Sequence, residues 1–317
     1  MDESRSIEKM AVREWLLNLS YCYKMGRAVD RLILGAAQFG LSYGITNPSS
    51  DQVPFEETEN IIRFCKANDI VQLDTAAVYG DSETVLGKLQ LSEMLVDTKL
   101  PPNNQFTRCC SLRDAVNASL ERLNLCSLNT LYFHSSSDLL ASDVSVLEDD
   151  LEGLKSEGII RRFGVSIYDP EELGPILDVI KPDVIQVPYN LFDNRIVSSG
   201  WAKQLSVLGI DINARSAFLQ GVLLDNEEQY HRYAPSWQPY LKLYHDWCAE
   251  LDLSKLQIAL GYFFSCPYLS KVIIGVHSLD HLQQIAGAIE TVSSIELDFP
   301  DFNAPRNLFD PRTWTKK

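Results

Sequence analysis

A single (β/α)8 barrel is the fold this sequence predicts, and three observations carry it. Eight short apolar or β-branched runs alternate with helical periodicity from residue 31 onward, the pattern of a parallel sheet wrapped by helices. The runs are apolar on both faces, as strands covered by helices outside and a barrel core inside must be. Polar and ionisable residues stand at or just past the run ends, where the strand tips of a barrel converge on one mouth. The 317 residues suit one such domain rather than two average ones.

Residues 1–30 read as an N-terminal helical extension, SIEKMAVREWLLNLSYCYKMGR, with apolar positions at Met10, Leu17 and Tyr21. Its apolar core is too short for a signal peptide, and its acids argue against a transit peptide. The barrel is expected over 31–292. Its strands are RLILGAA (31–37), VQLDTA (71–76), EMLVDTK (93–99), NTLYFHS (129–135), RRFGVSI (161–167), VIQVPYN (184–190), DINARSA (211–217) and KVIIGV (271–276). Each is bounded by Gly, Pro, Asn or Asp, and helical periodicity fills stretches such as 54–69, 111–125, 143–158, 169–181 and 253–266. Two stretches break the alternation. FLQGVLLDNEEQYHRYAPSWQP (218–239) follows the seventh strand and is expected as a lid on the active face. Residues 293–317, with prolines and aromatics but no periodicity, are expected as an ordered surface tail.

Composition excludes several functions. With 45% hydrophobic and 22% charged residues the chain is an ordinary globular protein, and no apolar run approaches the length of a membrane span. A formal net charge of −15 argues against general affinity for nucleic acid or anionic lipid. Seven cysteines without a C-x-x-C, the only close pair being Cys109-Cys110, read as free thiols in a reducing cytosol. Five scattered histidines suggest no metal site. The expected state is a cytoplasmic monomer or small homo-oligomer acting on a small molecule.

Asp74, Tyr79, Lys99 and His134 fall at the tips of three consecutive strands. A phenol beside an ammonium is a proton donor, because the positive charge favours the phenolate that remains. A carboxylate holds the ammonium, and an imidazole can grip a carbonyl oxygen. Reduction also needs a hydride, which no side chain carries, so a nicotinamide is implied. No G-x-G-x-x-G follows the first strand, so the phosphates must be held elsewhere. In barrels that place is often the loops after strands seven and eight with a helix N-terminus, here GVHSLDHLQQ, where Ser278 is a candidate cap.

The strings LGAAQFGLSYGI, DTAAVYGDSETVLGKL, TKL, FHS, GVSIY, QVPYNLFD and VIIGVHSLDHL, in this order from about Arg31 to about Ile289, resemble the aldo-keto reductases. The resemblance implies a carbonyl reductase in which Asp74, Tyr79, Lys99 and His134 are catalytic. It assigns Ser166 and Gln186 to the nicotinamide carboxamide, and Arg215, Ser216, Gly275, His277, Ser278 and His281 to the rest of the cofactor. Tyr43, Tyr168 and Asn190 are expected at the substrate, with Phe39 and the lid residues Tyr230, His231, Tyr233 and Trp237 around them. Such a polar-aromatic lining suits a sugar or another hydroxylated aldehyde or ketone. Three departures matter. Ile167 follows Ser166 where many members have Asn. Arg215 stands where an aromatic usually stacks on the nicotinamide, and would either favour the reduced ring or reach an anionic substrate. Gly275, His277 and His281 replace the usual cations for a 2′-phosphate, and Gln284-Ile285 replaces Glu-Asn. NADPH is the family default and NADH stays open. Two other functions compete: a Schiff-base aldolase using Lys99, disfavoured because Asp74 and Tyr79 keep that amine charged, and a catalytically weak cofactor-sensing or assembly subunit.

Overall fold

The computed structural model describes residues 27–46, 51–102, 111–292 and 297–314. The elements run β1 Leu32–Gly35, α1 Phe55–Ala67, β2 Gln72–Asp74, α2 Ser82–Gly87, β3 Leu95–Lys99, α3 Leu112–Leu123 and β4 Leu128–Phe133. After these come α4 Ser136–Leu140, α5 Val144–Ser156, β5 Ile160–Ser166, α6 Leu173–Val179, β6 Val184–Pro188, α7 Arg195–Ser198, α8 Trp201–Val207 and β7 Asp211–Arg215. The chain continues with α9 Gln238–Ala249, α10 Lys255–Ser265, β8 Lys271–Gly275, α11 Leu279–Val292 and α12 Arg306–Phe309. The strands close into one barrel in sequence order, β8 pairing with β1, and every pairing is parallel. All eight expected strands are present. The proposed N-terminal extension lies almost wholly outside the described residues, as does the Cys109-Cys110 pair. Among the described residues no helix is long and apolar enough to cross a membrane.

Local chemistry sets the helix ends. Ser111 accepts from the Asp114 N–H while Asp114 accepts from the Ser111 N–H, a reciprocal cap that starts α3, and Asn124 in the left-handed region ends it. Ser254 and Gln257 repeat the device at α10. The buried stripe of α3 is Val116, Ser119, Leu120 and Leu123, one face at helical spacing. Inside the barrel, period-two alternation puts Gln72 and Asp97 one layer below Asp74 and Lys99. There Asp97 accepts from Gln72 Nε2 at 2.6 Å and Asn129 Nδ2 at 2.7 Å, and Lys271 Nζ donates to Gln72 Oε1 at 2.8 Å. The base of the bore is therefore a satisfied polar layer rather than an oily one.

Only the first part of the segment 218–239 meets the strand-tip cavity, at Phe218, Gln220, Gly221 and Leu224, and the aromatics expected in the same lid lie elsewhere. Tyr230, Tyr233 and Trp237 are buried in a second hydrophobic cluster with Leu241, Tyr244, Phe302 and Phe309, and His231 is exposed on Glu228. Helix α9, which sequence periodicity did not reveal, supplies one wall of that cluster and the tail supplies another. The reason is area: these aromatics bury far more apolar surface against one another than over an aqueous mouth.

Candidate active site

The strand tips open into a cavity of about 400 Å³. Asp74, Tyr79, His134, Ser166, Gln186, Arg215, Ser216, Gly275, His277 and His281 line it, as do Tyr43 and Tyr168. Lys99, 1% exposed, lies just behind the wall.

Register brings the polar tips together. Asp74 pairs with Asp97 across β2–β3, and Asp97 with Thr130 across β3–β4, so Lys99 ends one step beyond Asp74 on the neighbouring strand. Lys99 Nζ donates to Asp74 Oδ2 at 2.5 Å and to the Thr75 carbonyl at 3.1 Å. Burial pulls the Lys99 ammonium down, but Asp74 and Tyr79 beside it outweigh this and hold it above its ordinary value. The ammonium is therefore kept charged, 5.1 Å from the centroid of the Tyr79 ring.

The residues between Asp74 and Lys99 hold Tyr79 in place. Gly80 has φ +57°, a conformation that a side chain would strain, and a Cβ there would collide with the Gly40 carbonyl. A Cβ on Gly40 would likewise strike the Tyr79 carbonyl, so the two turns meet backbone to backbone. Ser82 Oγ donates to the Ala36 carbonyl at 2.8 Å and shares a hydrogen bond with Thr75 at 3.0 Å. Glu83 accepts from Thr98 at 2.5 Å and from Arg122 Nε at 2.7 Å. The spacing of the DTA–YG–SE string is thus the spacing of one packed turn.

His134 meets Tyr79 edge to face at 5.8 Å between centroids. Burial first, then the charges of Lys99 and Arg215, lower its pKa to about 3, so the imidazole is neutral. Ser166 and Gln186 sit side by side in register across β5–β6. Gln186 does more than line the wall: its Nε2 donates to Asp74 Oδ1 at 2.8 Å. Arg215 donates to the Ile167 carbonyl at 3.0 Å and stacks 4.2 Å over the Tyr168 ring. The tail reaches the same tyrosine, with Arg312 also 4.2 Å over that ring and Arg306 paired with Asp169 at 2.9 Å.

Several expected residues fall elsewhere. Asn190 is buried outside the cavity lining, donating to the Ser216 carbonyl at 3.1 Å and accepting from the Phe192 N–H at 2.9 Å; it is a turn residue. Phe39 is fully buried in the core. Ser278 accepts from the His281 N–H at 3.2 Å and caps α11 without lining the cavity. Other residues went unnoticed in the sequence, Gln38, Thr46 and Leu256 on the cavity lining and Glu57 at the start of α11. Gln38 lines the cavity, 7% exposed, its Oε1 without a hydrogen-bond partner. Glu57 sits on the first amide of α11, a contact across 222 residues that no local pattern announces.

Fold and cavity together define an α/β barrel with an Asp–Tyr–Lys–His set at its C-terminal mouth. The chain belongs to the aldo/keto reductase family, a family of oxidoreductases whose model matches residues 31–297. Among its relatives, D-arabinose 1-dehydrogenase of Saccharomyces cerevisiae is 22% identical over 296 residues, covering 84% of this chain and 85% of that protein. A probable voltage-gated potassium channel subunit beta of Oryza sativa is 22% identical over 289 residues, covering 80% and 88%. An aldo-keto reductase of Bacillus halodurans, solved in its holo form, superposes with a TM-score of 0.66 at 20% identity over 82% of this chain and 87% of that one, a likeness of fold.

Proposed function

We propose that this protein is a nicotinamide-dependent carbonyl reductase that takes a hydroxylated aldehyde or ketone, of which a sugar is the simplest example, to the alcohol. The observation that carries the reading is the buried Asp74–Lys99 pair, 2.5 Å apart, beneath Tyr79 and beside a neutral His134. Reduction adds a hydride to the carbonyl carbon and a proton to its oxygen. A bound reduced nicotinamide supplies the hydride. Tyr79 supplies the proton, and the Lys99 charge stabilises the phenolate left behind. Neutral His134 presents an N–H to the same oxygen without adding a charge, as in other sites where a neutral imidazole polarises a carbonyl.

The cavity fits a dinucleotide. Gly275 leaves its wall bare, since a Cβ there would strike the Gln38 amide, and the orphaned Gln38 Oε1 awaits a donor such as a ribose hydroxyl. Ser166 and Gln186 would take the carboxamide, and His277 and His281 would flank the far end. The dehydrogenase relative named for arabinose supports a sugar-like substrate. The test is to add aldoses and simple aldehydes to purified protein with NADH or NADPH and follow loss of reduced-nicotinamide absorbance. Alcohol should appear in step with that loss; a dinucleotide that binds yet reduces nothing across the panel favours the cofactor-sensing alternative.

A further inference from the structure

The far end of the cavity carries an unexpected charge. Helix α11 begins at Leu279, and its first amide is taken by a side chain from another element, the Glu57 carboxylate of α1, at 2.6 Å. A free helix N-terminus attracts anions, and here a protein anion already occupies it. Asp280 adds a second carboxylate in the same turn and holds Gln284 at 2.7 Å. Gln284, His277 and His281 line the cavity here, and the two acids stand behind that lining, held to Leu279 and Gln284, at the end where the adenosine of a dinucleotide lies on the reductase reading above.

No lysine or arginine among the described lining residues compensates at this end. Among the described lining residues the one guanidinium is Arg215, held at the catalytic end by Ile167 and Tyr168. His277 is a poor substitute, because burial, and then its neighbour His281, lower its pKa. A second feature points independently to a ligand in this cavity. Gln38, more than nine-tenths buried, keeps Oε1 unpartnered against Gly275, two residues before His277.

We propose that Glu57 makes this site select NADH over NADPH. An unphosphorylated adenosine ribose presents a 2′-hydroxyl, which can donate to a carboxylate. A 2′-phosphate brings about two negative charges to a place that holds Glu57 and Asp280 and, among the described lining residues, offers no lysine or arginine, and like charges so juxtaposed are strongly disfavoured. The phosphate also finds the first amide of α11 already taken. NADH therefore pairs with this end of the site, against the NADPH habit of the family.

The test is direct binding. NADH and NADPH are titrated into the full-length protein by calorimetry, alongside AMP and adenosine 2′,5′-bisphosphate as fragments that carry no nicotinamide. NADH should bind at least about 20-fold more tightly than NADPH, a gap that narrows as salt rises. Glu57→Gln, which keeps the shape and removes the charge, should tighten NADPH by about tenfold while changing NADH by less than about threefold. Thermal melts of the two proteins check that the variant is folded. Equal affinities in the wild type, tighter NADPH, or a Glu57→Gln change that moves both dinucleotides alike would overturn the assignment and leave the reductase reading standing. If neither dinucleotide binds, the reductase reading falls and takes this one with it.

Discussion

Gln186 donates a hydrogen bond across the bore of the barrel to Asp74, 112 residues away in sequence, at 2.8 Å. Strands β2 and β6 stand on opposite sides of an eight-strand ring, so this bond spans the mouth. It takes the Asp74 oxygen that Lys99 leaves free, so each carboxylate oxygen has a donor. Asp74 is thereby fixed in position before any ligand arrives, and with it the ammonium under Tyr79.

Gln186→Leu strips that oxygen of its partner while keeping bulk. A buried acceptor left unsatisfied costs about 1–3 kcal/mol. Denaturant unfolding should show a loss of that size, and turnover should fall further than dinucleotide affinity. An unchanged unfolding midpoint would mean that the bond contributes nothing to stability.

Lys99→Met leaves Asp74 as a lone buried charge, which costs about 3–5 kcal/mol. Adding Asp74→Asn should recover most of the stability but none of the turnover, separating fold from chemistry. The sign with pH follows from the raised Lys99 value. Its contribution is complete below the ordinary lysine range and is lost as pH climbs through the higher folded value. Wild type and double variant should therefore converge in stability only in strong alkali.

His134 sets an opposite slope. Its folded value, lowered to about 3, lies below that of the unfolded chain, which takes up a proton first as pH falls. The wild type should lose stability relative to His134→Gln as pH drops below the usual histidine range. The same lowering predicts no His134 step in the turnover profile between about pH 5 and 8. A step there that disappears in His134→Gln would contradict a neutral imidazole.

At the base of the bore, burial, followed by the nearby Asp74 charge, raises Asp97 to about 6 despite its bonds from Asn129 and Gln72. The folded chain thus holds this proton to higher pH than the unfolded one. Its favourable effect is complete in acid and fades as pH rises through 6. Asp97→Asn should gain on the wild type across that interval, measured by melts at successive pH values, and a constant difference at every pH would contradict a raised Asp97.

How much of this was legible in the chain depended on the reach of each interaction. The strands announced themselves because burial on both faces demands apolar runs, and Asp74, Tyr79, Lys99 and His134 because a strand tip is a local position. The start of the segment 218–239 reaches the cavity as expected, but Tyr230, Tyr233 and Trp237 misled, since their partners Phe302 and Phe309 come from a tail with no periodicity of its own. A signal for α9 was present in Pro239 at its start and in Leu241, Tyr244 and Cys248 along one face, but the surrounding charges and aromatics masked it. Asn190 looked like a mouth residue because it follows a strand, yet the chain has already turned there to bridge with Asp193. Gln186 on Asp74 and Glu57 on Leu279 are contacts between distant segments, and no local pattern encodes them.

The most direct measurement of the central claim is turnover and dinucleotide binding of Tyr79→Phe side by side. Removing one hydroxyl should abolish carbonyl reduction, by at least about a thousandfold when the proton donor is lost, while the dissociation constant of the reduced dinucleotide stays within about twofold. A phenylalanine variant that still reduces the carbonyl at a comparable rate would contradict the assignment of Tyr79 as the proton donor.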